Sequence, residues 1–193
     1  GYHQVINASL SVAAFELLNK EGLNISVESL REGLIKAKIR GRFEIITFNE
    51  RIIILDIAHN PDSAKAFHDT FREKFKNEKA IFVFAALKNK LVKEIFSEIS
   101  DISEFFVFTE LSSVDSYSTE ELRLILSEVD ISKEAIEIKD KNEAFVYALI
   151  NSKKNDIICI TGSSYLVGEI ISWMESDKRN GGEKWIFQPY NHI

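Results

Sequence analysis

Short, almost unbroken apolar runs alternate along this chain with longer stretches in which apolar side chains recur every three or four positions. Ile52-Ile53-Ile54-Leu55, Ala80-Ile81-Phe82-Val83-Phe84 and Ile157-Ile158-Cys159-Ile160 are continuous runs, rich in β-branched and aromatic residues. They lack the polar alternation of a half-exposed strand, so they predict strands covered on both faces, as in a parallel sheet. Strands are predicted at 43–48, 51–56, 80–86, 104–109, 135–139 and 156–161. The first two form a hairpin around Asn49-Glu50. Between them the helical period predicts helices at 61–76, 91–99, from Thr119 onward, 142–151 and 164–174. Strand–helix repeats of this kind require right-handed crossovers. The expected fold class is therefore α/β: a Rossmann-like, mostly parallel six-stranded sheet with one antiparallel strand and helices on both faces.

Two helices precede the first strand. Val5, Leu10, Val12, Ala13, Leu17 and Leu18 mark one that stops near Gly22. Ser26 opens the second, with Glu28 or Ser29 available to its first turn. A boundary is predicted near Ile39, dividing the chain into 1–39, 40–178 and a tail at 179–193. Gly181-Gly182 reads as a linker, and the aromatic segment Trp185-Ile186-Phe187-Gln188-Pro189-Tyr190 either docks as an edge strand or stays disordered.

Composition narrows the chemistry. The 193 residues carry a formal charge of −6, which argues against a nucleic-acid surface because phosphate backbones are held by clustered Lys and Arg. Lys36 and Lys38 read as a solvated helix end. The single cysteine, Cys159, reads as a small buried hydrophobe of a central strand and cannot form an internal disulfide. With no membrane-length apolar run and no signal-peptide pattern, a cytoplasmic setting without membrane contact is expected.

The segment 52–63 concentrates polar function at a strand's carboxyl edge, where open parallel sheets bind ligands. Asp56, His59 and Asn60 follow the apolar run, and Pro61 suits a helix's first turn. A carboxylate at that edge accepts two ribose hydroxyls, or else it caps the turn. Asn60 is a ready helix cap, which would leave His59 as a surface residue. Gly162-Ser163-Ser164 joins the last strand to a helix, where free N–H groups, with the Ser163 hydroxyl, make an anion pocket; plain capping by Ser163 or Ser164 is compatible with that role. His3 reads as structural. No Gly-rich segment ending in Gly-Lys-Ser/Thr occurs, so the phosphate cradle and Mg²⁺-holding hydroxyl of a complete ATPase are absent from these residues.

Four motifs in register, Gly1-Tyr2-His3-Gln4 with Asn7-Ala8, Gly41-Arg42-Phe43-Glu44, Leu55-Asp56-Ile57-Ala58-His59-Asn60-Pro61 and Thr161-Gly162-Ser163-Ser164-Tyr165-Leu166-Val167-Gly168-Glu169, resemble the C-terminal part of the folylpolyglutamate synthase/dihydrofolate synthase family. That family belongs to the Mur ligase superfamily, and the resemblance runs from residue 1 to about Trp173. It implies an ATP-dependent ligase that adds glutamate to folate or dihydropteroate through an acyl phosphate. Residues 1–39 would be the last helices of the central ATP-binding domain, and 40–178 the Mur ligase-type C-terminal domain. Asp56 would hold the ATP ribose, Arg42 would reach the phosphates as the catalytic arginine, and Asn7 would meet the adenine edge. His59 and Ser163 would contact the incoming L-glutamate. Mg²⁺ ligands and the phosphate cradle would lie in an upstream ATPase domain of the same polypeptide, so this chain alone is expected to be inactive. The chain opens in mid-motif, which fits a native start upstream.

From the residues alone, Arg42 is equally an ion-pair partner of Glu44, and Asn7 an exposed helix residue. Another Mur-type ligase, such as a murein ligase, and a stand-alone nucleotide-sensing domain are the alternative functions. One departure from the family pattern is Ile57, where the family usually has Gly. A β-branched residue resists positive φ, so the turn after Asp56 is expected to use ordinary backbone angles.

Overall fold

The computed structural model describes residues 2–37, 39–112 and 114–179. By internal contacts the chain divides into two compact units, Gly1–Ile39 and Arg40–Ile193. The first holds α1 (Tyr2–Lys20) and α2 (Val27–Lys36). Ser26 caps α2 by accepting the Ser29 N–H at 3.0 Å, and Asn19 ties the connection down by exchanging two 2.8 Å hydrogen bonds with the Ile25 backbone. The second unit begins with β1 (Glu44–Phe48) and β2 (Arg51–Leu55), which pair antiparallel. Asn49 and Glu50 link them with φ of 45° and 62°, the two left-handed residues of a tight hairpin turn. Then follow α3 (Pro61–Phe75), β3 (Ala80–Phe84), α4 (Val92–Ile99), β4 (Ser103–Phe108), α5 (Thr119–Val129), β5 (Ala135–Glu137), α6 (Lys141–Ile150), β6 (Ile157–Thr161) and α7 (Ser164–Arg179).

The strands form one six-stranded sheet in the order β1-β2-β6-β3-β4-β5, parallel except for the β1–β2 pair. The predicted fold class is the one observed. Alternate residues of each strand enter two different cores. One face carries Phe82, Phe84, Phe106 and Phe108 beneath α3, α4 and α5, with Phe96 of α4 5.0 Å from Phe84 between ring centroids. The other carries Ile53, Leu55, Ile81, Val83, Ile158 and Ile160 beneath α6 and α7.

This layering sets the site. The chain leaves β2 for a helix on the aromatic face and leaves neighbouring β6 for α7 on the aliphatic face, so the connections diverge and open a crevice at the strands' carboxyl ends. The observed elements differ from expectation mainly at their ends. Most strands stop one or two residues early, while α7 extends beyond 174 to Arg179. The aromatic segment 185–190 lies outside the described residues, as does the His3 side chain. No helix among the described residues is long and apolar enough to cross a membrane.

Candidate functional site

Two groups of residues occupy the carboxyl edge of the sheet. The first is built around Asp56, just past the end of β2, whose own N–H donates to the Ile160 carbonyl at 3.0 Å and so fixes the backbone against β6. Its carboxylate accepts the Phe43 N–H at 2.7 Å on Oδ2 and the Ala58 N–H at 2.8 Å on Oδ1. Turn capping is therefore real. Each oxygen keeps a second lone pair, so capping and acceptance of ribose hydroxyls are compatible. Burial pushes the Asp56 carboxyl up from 3.8 to about 6, and the two backbone amides, with Arg42 and His59, only partly oppose it. Ile57 has no positive φ, as its β-branch requires.

Arg42 is exposed in the turn before β1 and makes no hydrogen bond or ion pair among the described residues, although its charge acts on Asp56. The ion pair with Glu44 belongs instead to Arg40, at 2.7 Å, and Arg40 also reaches Glu175 of α7 at 3.2 Å. Asn7 stands on α1 in the other unit, with its side chain exposed.

The second group lines a cleft of about 190 Å³ formed by the ends of three adjacent strands. Ile57 and His59 come from the β2 loop, Leu87 and Lys90 from the β3 loop, and Gly162, Ser163 and Ser164 from the β6 loop. His59 is half-buried, not a surface residue. Its Nδ1 lies 2.9 Å from the Ile57 carbonyl, which can only accept, so Nδ1 carries a proton, and Nε2 has no partner among the described residues. Asn60 does cap α3, accepting the Ser63 N–H at 2.8 Å, while the Ser63 hydroxyl returns to the Asn60 N–H at 3.1 Å. Ser163 is buried at 3% exposure and caps α7 by accepting the Tyr165 N–H at 3.2 Å. Gly162 is obligatory here: its φ is 97°, and a Cβ would sit 2.5 Å from the Ala85 carbonyl oxygen.

The structure thus brings Arg42 beside Asp56, and His59 into one cleft with Ser163. Sequence reasoning missed Lys90. The signal was present, because Lys88-Asn89-Lys90 follows the β3 run at the same sheet edge that drew attention to Asp56 and Ser163. Its loop is held by hydrogen bonds: the Lys90 carbonyl accepts the Tyr117 hydroxyl at 3.3 Å and the Val92 N–H at 3.0 Å, and the Lys88 N–H reaches the Asp115 carbonyl at 3.1 Å. No three His, Cys, Asp or Glu side chains among the described residues converge to hold a metal ion.

Comparison with known proteins gives these residues a context. Residues 41–164 match the Mur ligase, glutamate ligase domain model. The dihydrofolate synthase/folylpolyglutamate synthase of Bacillus subtilis is 34% identical over 173 residues, covering 88% of this chain and 39% of that protein. A UDP-N-acetylmuramoyl-L-alanyl-D-glutamate--2,6-diaminopimelate ligase of Clostridium acetobutylicum is 31% identical over 175 residues, covering 86% of this chain and 34% of that protein. Among solved structures, Escherichia coli FolC in complex with DHPP and ADP superposes with a TM-score of 0.74 at 21% identity, over 87% of this chain and 39% of that one. The chain therefore spans between about a third and two fifths of the length of these relatives.

Proposed function

This chain belongs to the Mur ligase family through its glutamate ligase domain, and on that premise we propose that it is the C-terminal part of an ATP-dependent ligase of the dihydrofolate/folylpolyglutamate synthase type. In the proposed reaction a pteroate or folate carboxylate takes the γ-phosphoryl group of ATP to form an acyl phosphate. The amine of glutamate attacks it, and phosphate leaves from a tetrahedral intermediate. Residues 1–39 would be the closing helices of the ATP-binding domain, Asn7 among them toward adenine. The phosphate cradle and Mg²⁺ ligands would lie upstream in the same polypeptide.

The division of the sheet edge into two groups carries this reading. Asp56, a carboxylate flanked by a free guanidinium, suits a ribose with Arg42 toward the phosphates. A planar fork of donors matches phosphoryl oxygens as charge builds on them. The second group suits an amino acid with two carboxylates. Ser163 and the N-terminal amides of α7 would take one carboxylate and Lys90 the other, while the free Nε2 of His59 accepts an amine N–H. At about 190 Å³ the cleft is smaller than the roughly 300–1,000 Å³ of pockets for drug-sized ligands, a size that admits an amino acid but not a whole folate.

The test is an assay of the full reading frame with ATP, dihydropteroate or a folate, and glutamate. The expected result is glutamate-dependent phosphate release matched by a product one glutamyl residue longer, with no phosphate release from this chain alone. Ligation of diaminopimelate to a UDP-linked muramyl dipeptide, with folates inert, would assign the protein to the other branch of the family. ATP turnover by this chain alone would refute the division between domains.

A further inference from the structure

The turn that carries Arg42 is fixed on both sides of it. On one side Gly41 is buried, with φ of 69°, and its carbonyl accepts the Ile57 N–H at 2.8 Å. A Cβ there would lie 2.9 Å from Ile57 Cγ2 and 3.0 Å from Val167 Cγ1, so no other residue fits without displacement. The Gly41 N–H donates to Glu44 at 2.9 Å. On the other side Phe43 is left-handed, with φ of 47°, a conformation that a residue with a Cβ adopts only under strain. Such strain persists only where the surroundings over-determine it. Two contacts do so here: the Phe43 N–H donates to Asp56 Oδ2 at 2.7 Å, and the Phe43 ring lies 5.3 Å from that of Phe67 on α3. The guanidinium between these anchors is exposed and unpaired among the described residues.

We propose that Asp56 is a positioning residue for Arg42 as well as a ligand of the nucleotide: its carboxylate latches the Gly41–Phe43 turn in the conformation that presents the guanidinium, so the ribose and phosphate contacts act as one unit. The proposal rests on the reading of Arg42 as the phosphate contact. Because Oδ2 spends one lone pair on Phe43 and Oδ1 one on Ala58, ribose hydroxyls occupy the remaining pairs without opening the latch. A residue that only bound ribose would set ATP affinity alone. A latch also sets the rate, through Arg42.

The experiment is a double-mutant cycle in the full-length enzyme with Asp56→Asn and Arg42→Ala. Asp56→Asn should raise the KM for ATP and also lower kcat by about tenfold, whereas in the Arg42→Ala background its effect on kcat should shrink to about twofold or less. Losses in kcat that multiply independently would overturn the latch, as would an Asp56→Asn enzyme altered in KM alone. An Arg42→Ala enzyme unchanged in kcat and in KM for ATP would instead remove the phosphate reading beneath it. Should Asp56→Asn fail to fold, the unaltered chain supplies the readout. The charged and titratable groups facing Asp56 are Arg42, His59 and Cys159. As Asp56 takes up its proton, amide exchange at Phe43 and Ala58 should accelerate, and that at Ile57, bonded to Gly41, should follow. A Phe43 amide indifferent to that titration would overturn the proposal.

Discussion

Asp56 links the site to the stability of the fold. Burial raises its carboxyl from 3.8 to about 6, so between those values the folded chain holds a proton that the unfolded chain releases. Its contribution is most favourable below the unfolded value and is lost as pH rises through about 6. Asp69, Glu121 and Asp130, held down by hydrogen bonds from His68, Lys88 and Ser132, have the opposite sign, but they act near and below their ordinary values of 3.8 and 4.5. Urea unfolding of the chain should therefore show Asp56→Asn gaining stability relative to the unaltered protein between about pH 4.5 and 7. A difference independent of pH would mean that Asp56 ionises as an exposed carboxylate does. Asp56 and Ser163 were legible because polar residues after an apolar run stand at a sheet's carboxyl edge whatever the detail of the fold. The choice between Arg40 and Arg42 for Glu44 was not. Both lie within a helical turn's reach in sequence, and only the left-handed angles at Gly41 and Phe43 turn one onto Glu44 and leave the other in solvent.

The elements were legible in type because each apolar run has the length of a strand and each periodic stretch the length of a helix. Their ends depended on contacts that sequence does not display. Helix α7 passes its expected stop at 174, and its next residue, Glu175, pairs with Arg40, far away in sequence. The β6–α7 junction tolerates no Cβ at Gly162 without displacement. With φ at 97° and the Ala85 carbonyl in the way, Gly162→Ala must move the β6 loop or the β3 loop, and both line the cleft. The substitution should cost about 2 kcal/mol or more in unfolding free energy, with loss of ligase activity in the full-length enzyme. Gly168 has nothing within 4 Å of where its Cβ would lie, so Gly168→Ala in α7 should instead be neutral or stabilise by up to about 1 kcal/mol. Equal effects at the two positions would show that close approach at Gly162 is not what constrains it.

For the whole molecule, the α/β class followed from alternation, but the insertion of β6 between β2 and β3 did not, because strand order is not written in local patterning. That insertion brings Gly162 and Ser163 beside His59, some hundred residues earlier in the chain, and leaves Asp56 and Arg42 as a separate group. The proposed function requires that these be two sites for two substrates. It is tested most directly by steady-state kinetics of the full-length ligase carrying Asp56→Ala, Ser163→Ala or Lys90→Met. Asp56→Ala should raise the KM for ATP about tenfold or more and leave that for glutamate unchanged, whereas Ser163→Ala and Lys90→Met should raise the KM for glutamate and leave that for ATP unchanged. Substitutions at both groups that raised the KM of the same substrate to the same degree would contradict the two-site account.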